Sequence, residues 1–320
     1  MELVVMRYLL LPFILLGPSL CQAHVRWFVG NQQNLVPYSW SLPEYLLLAI
    51  AISACLVALA LSRVSIKQLT DNPFFNAWPM QLQWRILAIV VGLWLLLNVY
   101  HGEFIAPNLE PNGAWQFSLL LQAVCGVVLL ISHRLASVTF CLFLLLLQLM
   151  LSVDSSLWID YGLELAGFAL ALHFSAHAER AVKYLRICLG LQLIVLAVHN
   201  KLLNPGMGLA FLAQHPWNFL QMSGLTLFDD ASFVVGIGLA EVSLGILLVL
   251  GIATRLVAAL VIAVFTLTGT LLGIGELMGH VPIVVSFVLI FSLGAGERSF
   301  AELNPSLWRN WRGNLSPSVK

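Results

Sequence analysis

The sequence predicts an all-α fold: a polytopic membrane helical bundle with about nine transmembrane helices after a signal peptide, arranged as two parallel four-helix repeats plus one extra helix. Three observations lead to it. Hydrophobic residues make up 60% of the chain and charged residues 9%, with a mean hydropathy of +0.93, whereas a soluble domain is about 25% charged. Long apolar runs recur along the chain, with basic residues gathered in alternate connections. Polar landmarks at the ends of the runs recur in two halves of the chain. The formal net charge is +0, which leaves no electrostatic footprint for a nucleic acid.

Taken in order, residues 1–23 read as a secretory signal peptide. "MELVVMRYLLLPFILLGPSLCQAH" has Arg7, a short apolar core, Gly17-Pro18 and a small-residue site at Ala23. A spanning helix needs about 20 apolar residues, more than this core offers; an uncleaved first helix is the alternative. Residues 24–83 hold an outer segment, the first span at about 44–62 and a cytoplasmic loop. Further spans are expected at about 84–101, 115–133, 136–153, 161–177, 186–203, 232–251, 255–274 and 280–295. Residues 297–320 form a cytoplasmic tail whose Trp308-Arg309 and Trp311-Arg312 suit the interface.

Charge orients the bundle. A removed signal peptide puts the mature N-terminus outside. Arg63, Lys67, Arg85, Arg134, Arg180, Lys183, Arg186, Arg255 and the basic tail then fall inside, leaving only Arg26 and Lys201 outside. Basic residues resist translocation, so this asymmetry points to a mature N-terminus outside and a cytoplasmic C-terminus. Glu103, Glu110, Asp154, Asp160, Asp229 and Asp230 populate the outer side. Cys21, Cys55, Cys125, Cys141 and Cys188 sit in apolar runs without a CxxC and read as small hydrophobes.

The repeat rests on "HGEFIAP" from His101 and "HNKLLNP" from His199, each ending an arginine-opened apolar helix. "QAVCGVVLLI" from Gln122 and "EVSLGILLVL" from Glu241 follow, each with a polar residue four before a glycine. Residues 84–180 then form the first, degenerate unit and residues 181–296 the second. Both start in the cytoplasm, so they are related by an axis along the membrane normal.

Arg186, Gly190, Lys201-Leu202, Pro205, Glu241, Gly245 and "GIATRLVAA" from Gly251 together resemble the DoxX-like family of four-helix membrane proteins. The resemblance covers residues 186–294; the first unit carries Gln122 in place of the glutamate and Glu103 in place of the lysine. The family includes the small subunit of thiosulfate:quinone oxidoreductase, and other members are linked to thiol and oxidative-stress complexes. The resemblance therefore implies a redox-linked role beside an oxidoreductase subunit.

Ionisable groups inside hydrocarbon are costly and face protein or a water-filled cavity. Glu241, near the middle of its span, reads as a proton carrier, quinone-headgroup partner or metal ligand, or else as a structural partner of Lys201. His199 and Lys201 stand with it as the expected chemical centre. His101, Glu103, Glu164 and His280 join the outer mouth as candidate cofactor contacts. His24, His101, His199, Glu276 and His280 form a candidate donor set for copper, iron or zinc, Glu276 and His280 falling one helical turn apart. A cleaved N-terminal His24 would chelate Cu(II) through its amine and ring. Each histidine is equally at home as an ordinary interfacial residue. His173 and His177 suit the cytoplasmic interface, and Gly269 and Gly273 form a GxxxG read as packing. The apolar connection 204–231 suits an interfacial lid. No phosphate-binding glycine loop, nucleophile elbow or HExxH is present. Three functions fit: a redox module binding quinone or metal for an oxidoreductase, a periplasmic metal-handling protein, and a non-catalytic scaffold or small-molecule carrier.

Overall fold

The computed structural model describes residues 38–61, 79–106, 109, 115–132, 135–153 and 155–296. The expected signal peptide, His24, Arg26, Arg63, Lys67, Pro107, Glu110, Arg134, Asp154 and the basic tail lie outside the described residues. Among those residues every regular element is helical. Five helical stretches are long and apolar enough to cross a membrane: Leu42–Leu59, Met80–Tyr100, Ala178–Leu202, Asp230–Leu250 and Thr254–Leu272. Shorter apolar helices cover Gln116–Ile131, Val138–Ser152 and Met278–Leu293. Outward faces are apolar too, with Leu120, Phe140 and Leu151 at 62%, 65% and 75% exposure. Water would penalise so continuous an apolar coat, and lipid would not. The chain is a helical protein suited to a membrane.

In chain order the helices are α1 (Leu42–Leu61), α2 (Met80–Tyr100), α3 (Trp115–Ile131), α4 (Leu135–Ser152) and α5 (Ser155–His173). Then come α6 (Ala178–Ala197), continued by a π-helical turn at Val198–Leu202, and the short α7 (Pro205–Gln214) and α8 (Phe219–Met222). The last three are α9 (Asp230–Leu250), α10 (Thr254–Leu272) and α11 (Ile274–Leu293). Neighbours in sequence pack along α2–α3–α4–α5–α6; α6 packs on α9, α10 on α11, and α11 returns to α2, closing a ring. One core runs through it, from Trp84 and Leu87 to Phe287 and Ile290. Helix α1 lies outside the ring against α9, through Leu47, Val235 and Leu239.

Local chemistry sets the helix ends. Asp229 caps α9 by accepting from Ser232 N at 2.8 Å. Gly251 closes it with φ +71°, and Ile252 N returns to Leu247 O at 2.8 Å, a Schellman arrangement in which the left-handed residue is glycine. Arginines satisfy the last carbonyls of three helices. Arg85 of α2 donates to Leu129 O at 2.9 Å, Ser132 O at 2.6 Å and Leu130 O at the end of α3. Arg186 of α6 donates to Leu248 O and to Val249 O at 2.9 Å at the end of α9, and to Ala295 O at 3.0 Å beyond α11. Arg255 of α10 donates to Phe291 O at 2.9 Å and Ser292 O at 3.3 Å near the end of α11. Terminal carbonyls lack intrahelical partners and carry the negative end of the helix dipole, so a guanidinium is a fitting cap where water is scarce.

Two close crossings accompany the first two clamps. A Cβ on Gly92 of α2 would sit 2.9 Å from Gly126 O of α3, and one on Gly190 of α6 would sit 2.9 Å from Gly245 O of α9. Arg85, Arg180, Lys183, Arg186 and Arg255 mark one end of the helices, and among the described residues Lys201 is the one cation toward the other.

Two sequence expectations change, and the lid expected over 204–231 takes a definite form. Helix α6 starts at Ala178 rather than near residue 186, because "AERAVK" is made of good helix formers, so Arg180 and Lys183 ride on the helix. Gly269 and Gly273 form no shared packing face: Gly273, with φ +109°, breaks the chain between α10 and α11. The connection 204–231 folds into α7 and α8, packed on α9 through Met207, Phe211, Leu220 and Phe233. Cys55, Cys125, Cys141 and Cys188 are unbridged thiols.

Candidate functional site

The polar end of α6 is built by a change of helix type. At Val198–Leu202 the ladder widens to a π-helical turn, with Leu203 N closing on Val198 O at 2.9 Å. Such turns insert a residue and re-aim side chains, and they gather at functional sites. Here the turn carries His199, Asn200 and Lys201. Opposite it, α9 offers Gly238, where a Cβ would come within 2.8 Å of Leu202 Cδ2 and 3.1 Å of Lys201 Cβ. The missing side chain lets the turn press onto α9, one helical turn before Glu241.

The contact that results is an ion pair. Lys201 Nζ donates to Glu241 Oε2 at 2.5 Å, with side-chain exposures of 0% and 3%. A buried pair holds when its charges cancel and its remaining lone pairs find donors. The second condition is half met: Glu241 Oε1 is buried without a hydrogen-bond partner among the described residues.

His199 points elsewhere. Its Nδ1 lies 3.5 Å from Asp160 Oδ1 of α5, and Gln192 Nε2 donates to Asp160 O. Asp160 is buried and His199 partly exposed. Glu164, a turn further along α5, is buried as well. His101 caps the end of α2, exposed, with its ring 5.3 Å from that of Tyr100. Glu103 follows in the connection, partly desolvated, and this raises its carboxyl above the ordinary range while nearby His101 opposes the shift. His280 is fully buried on α11, its ring 4.6 Å from that of Phe265. Glu276 lies on α11 one turn before His280, and its side chain is outside the described set.

The predicted site residues therefore divide. Lys201 and Glu241 meet, and His199 meets Asp160 instead. Among the described residues, no group of three or more His, Cys, Asp or Glu assembles as a metal site.

Sequence reasoning missed Glu44. It is fully buried at the start of α1, where Oε1 accepts from Tyr38 Oη at 2.7 Å and lies 2.5 Å from Ser232 Oγ, and Oε2 accepts from Ser41 N at 2.6 Å. This carboxylate ties α1 to the start of α9. Burial, with the Glu44 carboxylate beside it, raises the Tyr38 phenol above its usual range. The signal was present as "SLPE", Ser41 to Glu44, a capping box with proline inside the first turn.

Comparison with family models, with curated proteins and with solved structures gave no match.

Proposed function

We propose that this chain is a DoxX-like inner-membrane protein that binds a quinone-type headgroup at the Lys201–Glu241 pair and serves an oxidoreductase partner. In this reading the nine long helices all span, α1 stands apart, and α2–α5 and α6–α11 are two parallel copies of one four-helix unit. The paired arginine clamps support the duplication: Arg85 reaches Leu129 and Leu130, and Arg186 reaches Leu248 and Val249. The glycine crossings at Gly92–Gly126 and Gly190–Gly245 support it again. The end rich in arginine faces the cytoplasm under the positive-inside rule, and Lys201 lies toward the periplasmic side.

The observation that carries the reading is the open oxygen of Glu241, buried beside an ammonium that already neutralises the carboxylate. A neutral ligand with both a donor and an acceptor fits that environment, and a charged one does not. Quinone-type headgroups offer acceptor oxygens and, when reduced, a hydroxyl donor as well, and when bound they would supply electron transfer that the side chains lack. Lys201 would donate to the headgroup oxygen and Glu241 would accept from its hydroxyl.

Extraction of the purified protein tests this. Quinone is expected to accompany the wild type in near-stoichiometric amount and to fall at least tenfold in Glu241→Gln. Copper, iron or zinc at stoichiometric level with no quinone would overturn it in favour of metal handling through His24, His101, His199, Glu276 and His280. A scaffold reading has its own support, the mutual sealing of the pair at 2.5 Å. It prevails if Glu241→Gln lowers thermal stability while the partner's oxidoreductase activity is unchanged.

A further inference from the structure

Gln122 and Glu241 hold matching positions. Each stands four residues before the glycine of a close crossing, Gly126 or Gly245. Each lies near the segment that follows the helix it crosses. Their surroundings differ in one respect that bears on ligand choice.

At Gln122 every polar atom is in use. Oε1 accepts from Ile105 N at 2.9 Å, and Nε2 donates to Leu95 O at 3.0 Å and Glu103 O at 3.2 Å. The segment Phe104–Ala106 turns back into the bundle to do this, with Phe104, Ile105 and Ala106 at 0%, 1% and 0% exposure. Ile105 takes φ +66°, an unfavourable conformation for a β-branched residue, and Asn98 Nδ2 holds its carbonyl at 2.6 Å. The chain thus accepts local strain to bring an N–H donor onto Oε1.

Among the described residues no such plug reaches Glu241. The corresponding Leu203 is 65% exposed, and its N–H is spent on Val198 O in closing the π-helical turn. Glu241 Oε1 is buried and accepts no hydrogen bond from the described residues.

We infer that Glu241 is the open member of these two positions, that Ile105 N–H is the internal stand-in for the missing ligand group at the closed one, and that the open site selects a headgroup presenting an O–H donor. The inference rests on the headgroup reading above and specifies its redox form. An ionised carboxylate oxygen only accepts. A hydroquinone O–H donates to it while its oxygen accepts from Lys201. A quinone carbonyl offers lone pairs alone and leaves Oε1 unmet, and a buried unmet acceptor costs affinity. The site therefore holds the reduced headgroup more tightly than the oxidised one.

The test is anaerobic titration calorimetry of the detergent-solubilised full chain, freed of bound quinone. The probes are decyl-hydroquinone, its dimethyl ether and decyl-benzoquinone. The hydroquinone is expected to bind at least tenfold tighter than either other probe. In Glu241→Gln, whose amide can donate as well as accept, that preference is expected to fall below about twofold. Equal binding of the three probes to the wild type overturns the selectivity while leaving the headgroup site standing. Binding of none overturns the headgroup reading, with water alone left as the occupant of Oε1. A preference that survives in folded Glu241→Gln removes Glu241 as the acceptor. Should that variant fail to fold, the carboxylate stretch of the wild type decides: it shifts with hydroquinone and not with benzoquinone, and the converse overturns the inference.

Discussion

Removing one member of a buried ion pair strands the other, and this sets the first prediction. Glu241→Leu leaves the Lys201 ammonium without its partner at 0% exposure, a loss of about 3–5 kcal/mol. Lys201→Met with Glu241→Leu removes both charges and is expected to recover most of that loss. Thermal melts of the three variants in detergent complete the cycle, and strict additivity of the single effects would contradict it. A second prediction concerns Glu103, whose carboxyl is raised by partial burial. A raised carboxyl binds its proton more tightly folded than unfolded. Its stabilising share is therefore whole below the ordinary carboxylate range and is lost as pH climbs through the folded value. Glu103→Gln should flatten the melting temperature against pH between acid and neutral conditions; an unchanged slope would assign the dependence to another group. At this scale the sequence exposed the charges and offered the Lys201–Glu241 pairing, but it concealed the other partners. Glu241 and Lys201 stood out because ionisable residues in apolar runs are rare. Glu44 escaped notice because its burial depends on Ser232, distant in the chain, and the pairing of His199 with Asp160 needed the α5–α6 packing.

At the scale of helices, contact distance and terminal carbonyls decide the outcome. Gly245→Ala drives a Cβ to within 2.6 Å of Gly190 O, and overpacking of that kind costs about 1–3 kcal/mol. Ile246→Ala, on the exposed side of the same helix, is the control and should change the melt little. Arg186→Met removes a charged donor from Leu248, Val249 and Ala295, and a charge-assisted hydrogen bond contributes about 1.5–3 kcal/mol. Its melting temperature should fall further than that of Gly245→Ala, and the reverse order would mean that the clamp is replaced by water. Helix positions were legible from hydropathy because each apolar run matches one helix. Helix α6 was misjudged at its start, where polar helix formers hide from hydropathy. Gly273 was misread because a GxxxG spacing carries no information about φ. The π-helical turn left no mark in the sequence beyond the crowding of His199, Asn200 and Lys201.

Across the whole molecule, orientation is the measurable property. In a cysteine-free background, Gln221→Cys, exposed on α8, should react with an impermeant maleimide added outside intact cells. His177→Cys, exposed between α5 and α6, should react only after lysis. The opposite pattern would invert the proposed topology. The alternation of charge that underlies this was plain in the sequence, and so were the landmarks of the two halves. The sequence could not reveal that Gln122 is fully hydrogen-bonded while Glu241 Oε1 has no partner among the described residues, since the contact from Ile105 depends on a backbone conformation and on Asn98. Arg186 has one more consequence, and it concerns biogenesis. Its acceptors Val249 and Ala295 lie 63 and 109 residues downstream. At roughly 5–20 residues per second, the ribosome takes about 5–20 s to deliver the last of them. Leu248 and Val249 follow Arg186 by 62 and 63 residues, so two of its three acceptors emerge well before Ala295. The contacts at the end of α9 therefore become available before the one beyond α11, and the clamp of Arg186 is completed in two stages.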